Sequence, residues 1–319
     1  MPPTRLRSVF FNLPQPLPAD ACIGVFAPSG VVNIPRLDAA VTALEAMGHR
    51  VIVAADIGAQ WRSFAGTDDE RLASFHAMLA NPDIDMMMMA RGGYGWSRLL
   101  HRVDWQAVGR SRKLFCGFSD FTAFSLGALA KANLVTCAGP GAAIDFGGAD
   151  DNEDTQADHR YTQAHCWPVL RGEAVTTEPF ACEHGYPAQT ISGPIWGSNL
   201  SMLTHLIGTP FMPGIDGGIL FIEEIAEQPY AIERMLLQLF HAGILQRQKA
   251  LLFADFTDCE PAAGRFPYSM AHVVDTLRTL LPFPVLTGLP FGHVAKKLTI
   301  PFGADATLAI GDNVYTLSF

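Results

Sequence analysis

Apolar positions in the first half of the chain alternate between two periods. Residues 23–27 (Ile23-Gly24-Val25-Phe26-Ala27) form a continuous apolar run stopped by Pro28-Ser29-Gly30, the pattern of a buried strand. Leu37, Ala40, Val41, Leu44 and Met47 then follow the spacing of one helix face, Gly48 is placed to end that helix, and residues 51–53 open a second strand. A second helix is predicted over 69–79, ending before Asn81-Pro82. Residues 84–90, with four consecutive methionines at the centre, show no alternation. A strand apolar on both faces belongs inside a parallel sheet. Residues 114–116 predict a further strand, followed by a helix over about 121–132. Strands alternating with helices imply an open α/β sheet with right-handed crossovers.

The pattern changes after Gly147. Asp150, Asp151, Glu153, Asp154 and Asp158 make an acidic, glycine-flanked stretch expected to be an exposed connector. A short helix over about 161–170 and a strand over about 175–180 follow, with a domain boundary near Gly172. In the second half, residues 219–222 read as a buried strand. Pro229 opens a helix with Ile232, Met235, Leu236 and Leu239 on one face, ended by Gly243. Residues 306–310 and 314–319 predict a terminal hairpin around Gly311-Asp312-Asn313. The expected fold class is α/β. An N-terminal open, mainly parallel sheet flanked by helices (1–172) precedes a C-terminal mixed α/β domain with a terminal β-hairpin (173–319).

Composition narrows the function classes. Of 319 residues, 49% are hydrophobic and only 17% charged, too apolar for a disordered chain. Every long apolar run is broken before it could span a bilayer. The net charge is −9 and no basic run is dense enough to neutralise a phosphate backbone, so neither nucleic acid nor membrane is an expected partner. Six scattered cysteines contain no C-x-x-C pair. Cys182/His184 and His165/Cys166 lie close in sequence, but no further ligand follows at metal-site spacing, so no metal or other cofactor is expected. Asn12, Pro14, Gln15 and Pro16 interrupt the N-terminal apolar run before an export signal could form, which points to the cytoplasm.

Ser119 carries the clearest chemistry. It stands between a buried strand and a helix in Gly117-Phe118-Ser119-Asp120-Phe121, where a sharp turn would lift it above the sheet edge with the Asp120 amide facing any oxyanion. The second glycine of G-x-S-x-G is replaced by Phe121, and the same position suits a helix cap. A serine nucleophile needs a base. His49, His76 and His101 lie on or beside helices and are expected at the surface. His293 lies in the turn-rich Gly288-Leu289-Pro290-Phe291-Gly292-His293. Glu223 and Glu224, at the end of an apolar strand, are candidates for the acid that orients the base. Arg91-Gly92-Gly93-Tyr94-Gly95 follows the methionine strand and would let backbone approach an anion closely.

These motifs, in order, resemble the LD-carboxypeptidase family. The resemblance rests on residues 90–95 with Arg98-Leu99-Leu100, residues 117–123, Trp196-Gly197-Ser198-Asn199-Leu200 with 206–210, residues 218–224 with 233–239, and Gly292-His293 with Pro301-Phe302-Gly303. It covers about residues 23–307. It implies a Ser119–Glu223–His293 triad, with Glu224 where aspartate is more common and Ser198 where glycine is usual. It also implies an oxyanion hole from the Gly93 and Asp120 amides. The implied activity is release of the terminal D-alanine from murein tetrapeptides or muropeptides, after the L-centre of meso-diaminopimelate, during peptidoglycan recycling. It further implies a homodimer. Arg91, with Gly92 and Tyr94, is the expected binder of the substrate carboxylate. Two rivals remain: an immunity-type peptidase of the same family that cleaves an acyl-nucleotide antibiotic, and a non-catalytic α/β ligand-binding protein.

Overall fold

The computed structural model describes residues 5–8, 10–148, 151–183, 185–261 and 267–319. Asp150 and His184 lie outside these residues.

The first half runs β1 (Cys22–Phe26), α1 (Ile34–Ala46), β2 (Arg50–Val53), α2 (Asp68–Ala80), β3 (Met86–Met89), α3 (Trp96–Leu99), α4 (Trp105–Ser111), β4 (Leu114–Gly117), α5 (Phe121–Gly127), β5 (Thr136–Ala138) and α6 (Glu153–Leu170). The second runs β6 (Phe180–Ala181), β7 (Gln189–Asn199), α7 (Leu200–His205), β8 (Ile219–Ile225), α8 (Pro229–His241), β9 (Ala250–Thr257), α9 (Met270–Leu280), β10 (Val285–Leu286), β11 (Ile300–Phe302), β12 (Asp305–Gly311) and β13 (Val314–Ser318).

The first sheet has the order β2-β1-β3-β4-β5-β11, parallel except for β11, which pairs antiparallel with β5. A strand from the far end of the chain thus completes the N-terminal sheet. The methionine strand β3 lies between β1 and β4 and is buried along its length, as its lack of alternation predicts. The second sheet is mixed, in the order β10-β9-β8-β7-β12-β13-β6. Its β7 pairs with β12 in its first half and with β8 in its second. The expected α/β architecture and terminal hairpin are present.

Local signals account for the boundaries. The Asn33 side chain caps α1 by accepting from the Arg36 amide, and Gly48 follows its end at φ +92°. Thr67 and Glu70 form a reciprocal capping box on α2, whose first turn carries Asp68, Asp69 and Glu70. Pro229 occupies the first turn of α8, where its missing N–H costs nothing.

Three expectations need correction. The acidic stretch is not a connector. Asn152 caps α6, so Glu153, Asp154 and Asp158 lie within the helix. Acids in a first turn meet the positive helix end, and Asp151 accepts two hydrogen bonds from Arg36. The strand expected over 175–180 shrinks to a single bridge at Thr176 and the two-residue β6, because pairing with β13 fixes only those points. His49 is buried rather than superficial; it stacks on Trp167 at 4.6 Å, and burial pushes its imidazole below the usual value.

Candidate active site

The order of the first sheet contains a topological switch point. The chain leaves β1 for β2 on one side, whereas β3, β4 and β5 build out on the other, so the loops after β1 and β3 diverge at the carboxyl edge. Ligands of open α/β sheets bind at such a switch point. The two loops here are packed together. Gly30 N–H donates to the Gly92 carbonyl at 3.3 Å, and the loop after β1 is also held from the β2–α2 side, where Ala65 N–H donates to the Ser29 carbonyl at 3.0 Å and the Arg71 guanidinium to the Pro28 carbonyl. Gly93 has φ +125°, and a β-carbon there would lie 3.1 Å from the Gly30 nitrogen, so glycine is needed for both conformation and fit.

Ser119 follows β4 at the neighbouring position. Its φ of +62° lies in the left-handed region, unusual for a side chain with a β-carbon. This strained residue forms the sharp turn between β4 and α5. Gly117 is required because a β-carbon would meet Met89 Sδ at 2.7 Å and Phe121 Cγ at 2.8 Å. Phe121, in place of the motif's second glycine, turns inward against Trp96 and Phe124. Gly92 packs directly on the serine; a β-carbon there would lie 2.8 Å from Ser119 Cβ and 3.0 Å from its Oγ.

The partners of Ser119 come from the second half of the chain. His293 Nε2 lies 2.9 Å from Ser119 Oγ, and His293 Nδ1 lies 2.8 Å from Glu223 Oε2. Gly292, at φ +136°, lets the histidine loop lie against the ends of β8 and β9. A β-carbon there would sit 3.2 Å from Asp255 Cβ and 3.3 Å from Glu223 Cβ. Glu223 is fully buried. Burial pushes its carboxyl above the ordinary 4.5, the His293 hydrogen bond pulls it back, and the charge of Glu224 raises it further.

Glu224 has a different task. Its carboxylate accepts from Asn199 Nδ2 at 3.0 Å, from the Ser201 amide and hydroxyl at 2.8 and 2.6 Å, and from the Ile225 amide at 3.0 Å. It therefore ties α7 to β8 and makes no contact with the imidazole. Ser198 has φ +77° and a buried hydroxyl without a partner, a backbone conformation that favours glycine.

Arg91 donates to the Val31 carbonyl at 3.1 Å and to the Gly92 carbonyl at 3.2 Å, so it braces the two loops with part of its guanidinium. Tyr94 is half exposed beside Phe64, ring centroids 5.8 Å apart. The buried Asp120 carboxylate was not singled out from sequence. It accepts from Ser29 Oγ at 2.6 Å and from the Trp96 amide at 2.8 Å, joining the loops after β1, β3 and β4. Burial raises this carboxyl, opposed by those hydrogen bonds. Asn199, part of a resemblance motif, was assigned no role from sequence; its backbone N–H donates to Thr122 Oγ1 at 3.2 Å, linking the helix behind Ser119 to the strand pair carrying the acids. Among the described residues no three of His, Cys, Asp and Glu are grouped to hold a metal ion, and no helix is long and apolar enough to cross a membrane.

Comparison with known proteins identifies the family and the fold. Residues 23–139 match the LD-carboxypeptidase N-terminal domain and residues 192–308 its C-terminal domain. A probable murein peptide carboxypeptidase of Bacillus subtilis is 32% identical over 92% of this chain and 91% of its own. The crystal structure of muramoyltetrapeptide carboxypeptidase from Oxalobacter formigenes superposes with a TM-score of 0.84 at 36% identity, covering 93% of this chain and 98% of that one. The microcin C7 self-immunity protein MccF of Escherichia coli is 28% identical over 93% of this chain and 92% of its own. The chain belongs to the LD-carboxypeptidase family.

Proposed function

We propose that this member of the LD-carboxypeptidase family releases the terminal D-alanine of murein tetrapeptides by a metal-free serine mechanism. The observation that carries the reading is the continuous hydrogen-bonded line from Ser119 through His293 to buried Glu223. Glu223 accepts the Nδ1–H of His293, which leaves Nε2 free to take the Ser119 proton. Ser119 Oγ then attacks the carbonyl at the L-centre of meso-diaminopimelate, and the amides of Gly93 and Asp120 receive the oxyanion. His293 returns the proton to the amine of departing D-alanine. Water, deprotonated by the same imidazole, hydrolyses the acyl-enzyme. Arg91 receives the free carboxylate that defines a carboxypeptidase substrate, with Gly92 and Tyr94 lining that side. The enzyme acts as a cytoplasmic homodimer in peptidoglycan recycling.

A second reading, hydrolysis of an acyl-nucleotide, has one observation in its favour. Trp61, Phe64 and Tyr94 form a run of rings beside the glycine loop, with centroids 5.9 and 5.8 Å apart, and Arg62 lies 4.4 Å over Trp61. Such rings can stack a flat group.

The test is incubation with murein tetrapeptide, with and without EDTA, following D-alanine release. Release unaffected by the chelator is expected. No release, or release abolished by EDTA, refutes the reading, and faster cleavage of an aminoacyl nucleotide favours the second.

A further inference from the structure

His293 belongs to a stretch between β10 and β11 that forms neither helix nor strand. Its position must therefore come from tertiary contacts. One clamp comes from α6: Thr162 Oγ1 donates to the Ala295 carbonyl at 2.6 Å and accepts from the Lys297 amide at 2.8 Å. The other is ionic. Lys297 Nζ lies 2.5 Å from Asp145 Oδ1, with side-chain exposures of 1% and 0%. Asp145 Oδ2 also accepts from the Gly141 amide at 2.9 Å, and His159 Nδ1 approaches Oδ1 at 3.6 Å.

Stability alone is a weak reason for a buried ion pair, since apolar replacements are often as stable. The location of this one offers another. The Lys297 ammonium lies 4.5 Å over the ring of Phe118. That ring meets the His293 imidazole edge-on, 5.3 Å between centroids at 68°. Phe118 immediately precedes Ser119. The pair thus sits behind a single aromatic ring that touches the histidine and adjoins the serine.

We propose that Lys297, held by Asp145, is a positioning residue for the Ser119–His293 couple. It fixes the Phe118 ring by a cation–π contact and thereby sets the imidazole within reach of the serine. The inference rests on the serine mechanism proposed above but not on its substrate. A 1 Å displacement of a reacting group can cost on the order of a hundredfold in rate, so a remote clamp is kinetically visible.

The experiment uses the full chain and a fluorophosphonate probe. Ser119 Oγ attacks phosphorus, fluoride leaves, and His293 takes the proton; labelling at Ser119 is followed by mass spectrometry over a range of probe concentrations. Folding of each variant is checked by circular dichroism. Lys297→Met should lower the maximal labelling rate by roughly tenfold or more with the probe's half-saturating concentration unchanged. Phe118→Leu, which leaves the ion pair intact, should do the same. The double variant should be no slower than the slower single variant, because both act through one ring. A folded Lys297→Met protein labelled within about twofold of the parent overturns the proposal, as do losses that multiply in the double variant. Should Lys297→Met not fold, Phe118→Leu decides, and parental labelling there overturns the proposal. A parent that labels at Ser119 but releases no D-alanine refutes the substrate reading and leaves this one standing. A parent that does not label overturns this one.

Discussion

Glu223 Oε2 and His293 Nδ1 are 2.8 Å apart although 70 residues separate them in the chain. The bond requires the end of β8 to meet an irregular loop, and the glycine at 292 makes that approach possible. It also separates two adjacent glutamates by function. Replacing Glu223 with alanine should abolish nearly all D-alanine release, as should Ser119→Ala and His293→Ala, because such groups act as a unit. Glu224→Gln should instead keep measurable activity and destabilise the fold by about 1–3 kcal/mol, since buried hydrogen bonds to α7 are weakened. Thermal unfolding alongside the activity assay separates the two. Loss of activity in Glu224→Gln with Glu223→Ala active would show that the acid has been misassigned.

Gly92→Ala tests the crowding around the nucleophile. The added methyl would meet Ser119 Cβ at 2.8 Å, closer than side chains tolerate, so the serine must leave its present position, 2.9 Å from His293 Nε2. Catalysis should fall by on the order of a hundredfold, with little change in unfolding temperature. Parental turnover in this variant would show that the glycine loop does not press on Ser119 in solution.

Arg91→Ala should raise KM for the tetrapeptide by roughly tenfold or more, the scale of a lost charge-assisted hydrogen bond. A substrate whose terminal carboxylate is converted to an amide should be affected far less. Equal losses on both substrates would mean that Arg91 serves only to brace Val31 and Gly92.

Ser198 occupies a left-handed conformation with an unpartnered buried hydroxyl. Ser198→Gly should therefore stabilise the protein by about 1 kcal/mol, the scale of the strain that glycine avoids. Differential scanning calorimetry reads the rise in Tm, and a fall would contradict the assignment of strain.

The Lys297–Asp145 pair predicts a pH dependence of stability. Burial alone would raise the Asp145 carboxyl, but Lys297, His159 and the Gly141 amide outweigh it and hold it below its ordinary 3.8. The native state therefore binds fewer protons than the unfolded state in this range. The contribution is complete above pH 3.8 and is withdrawn as pH falls through the lower native value. Acid unfolding of Lys297→Met should begin at higher pH than in the parent, followed by near-ultraviolet circular dichroism. An unchanged midpoint would show that the pair does not stabilise the ionised carboxyl.

The sequence by itself determined the elements whose boundaries are local. Apolar strands without alternation, the caps at Asn33 and Thr67, and the proline opening α8 need only near neighbours to act, so their signals survive in linear order. Ser119 and the Gly93 loop were legible for the same reason, since a strand–turn–helix and a run of glycines are local shapes. Family resemblance then pointed to His293 and Glu223. The acidic residues 153–158 were misread because α6 draws its stability from a buried face carrying His159, Thr162 and Cys166, which charge alone conceals.

Tertiary structure decided the rest. It gives Glu223 and Glu224 their different partners, at a register irregularity of β8 against β9 between Ile222 and Glu224. One meets the histidine loop and the other the start of α7. It alone places β11 in the N-terminal sheet and brings Asp145 under Lys297, 152 residues away in sequence. Such pairings carry no local signature. Each depends on packing two halves of the chain around one core, so residues that determine the site's geometry become recognisable only when that packing is complete.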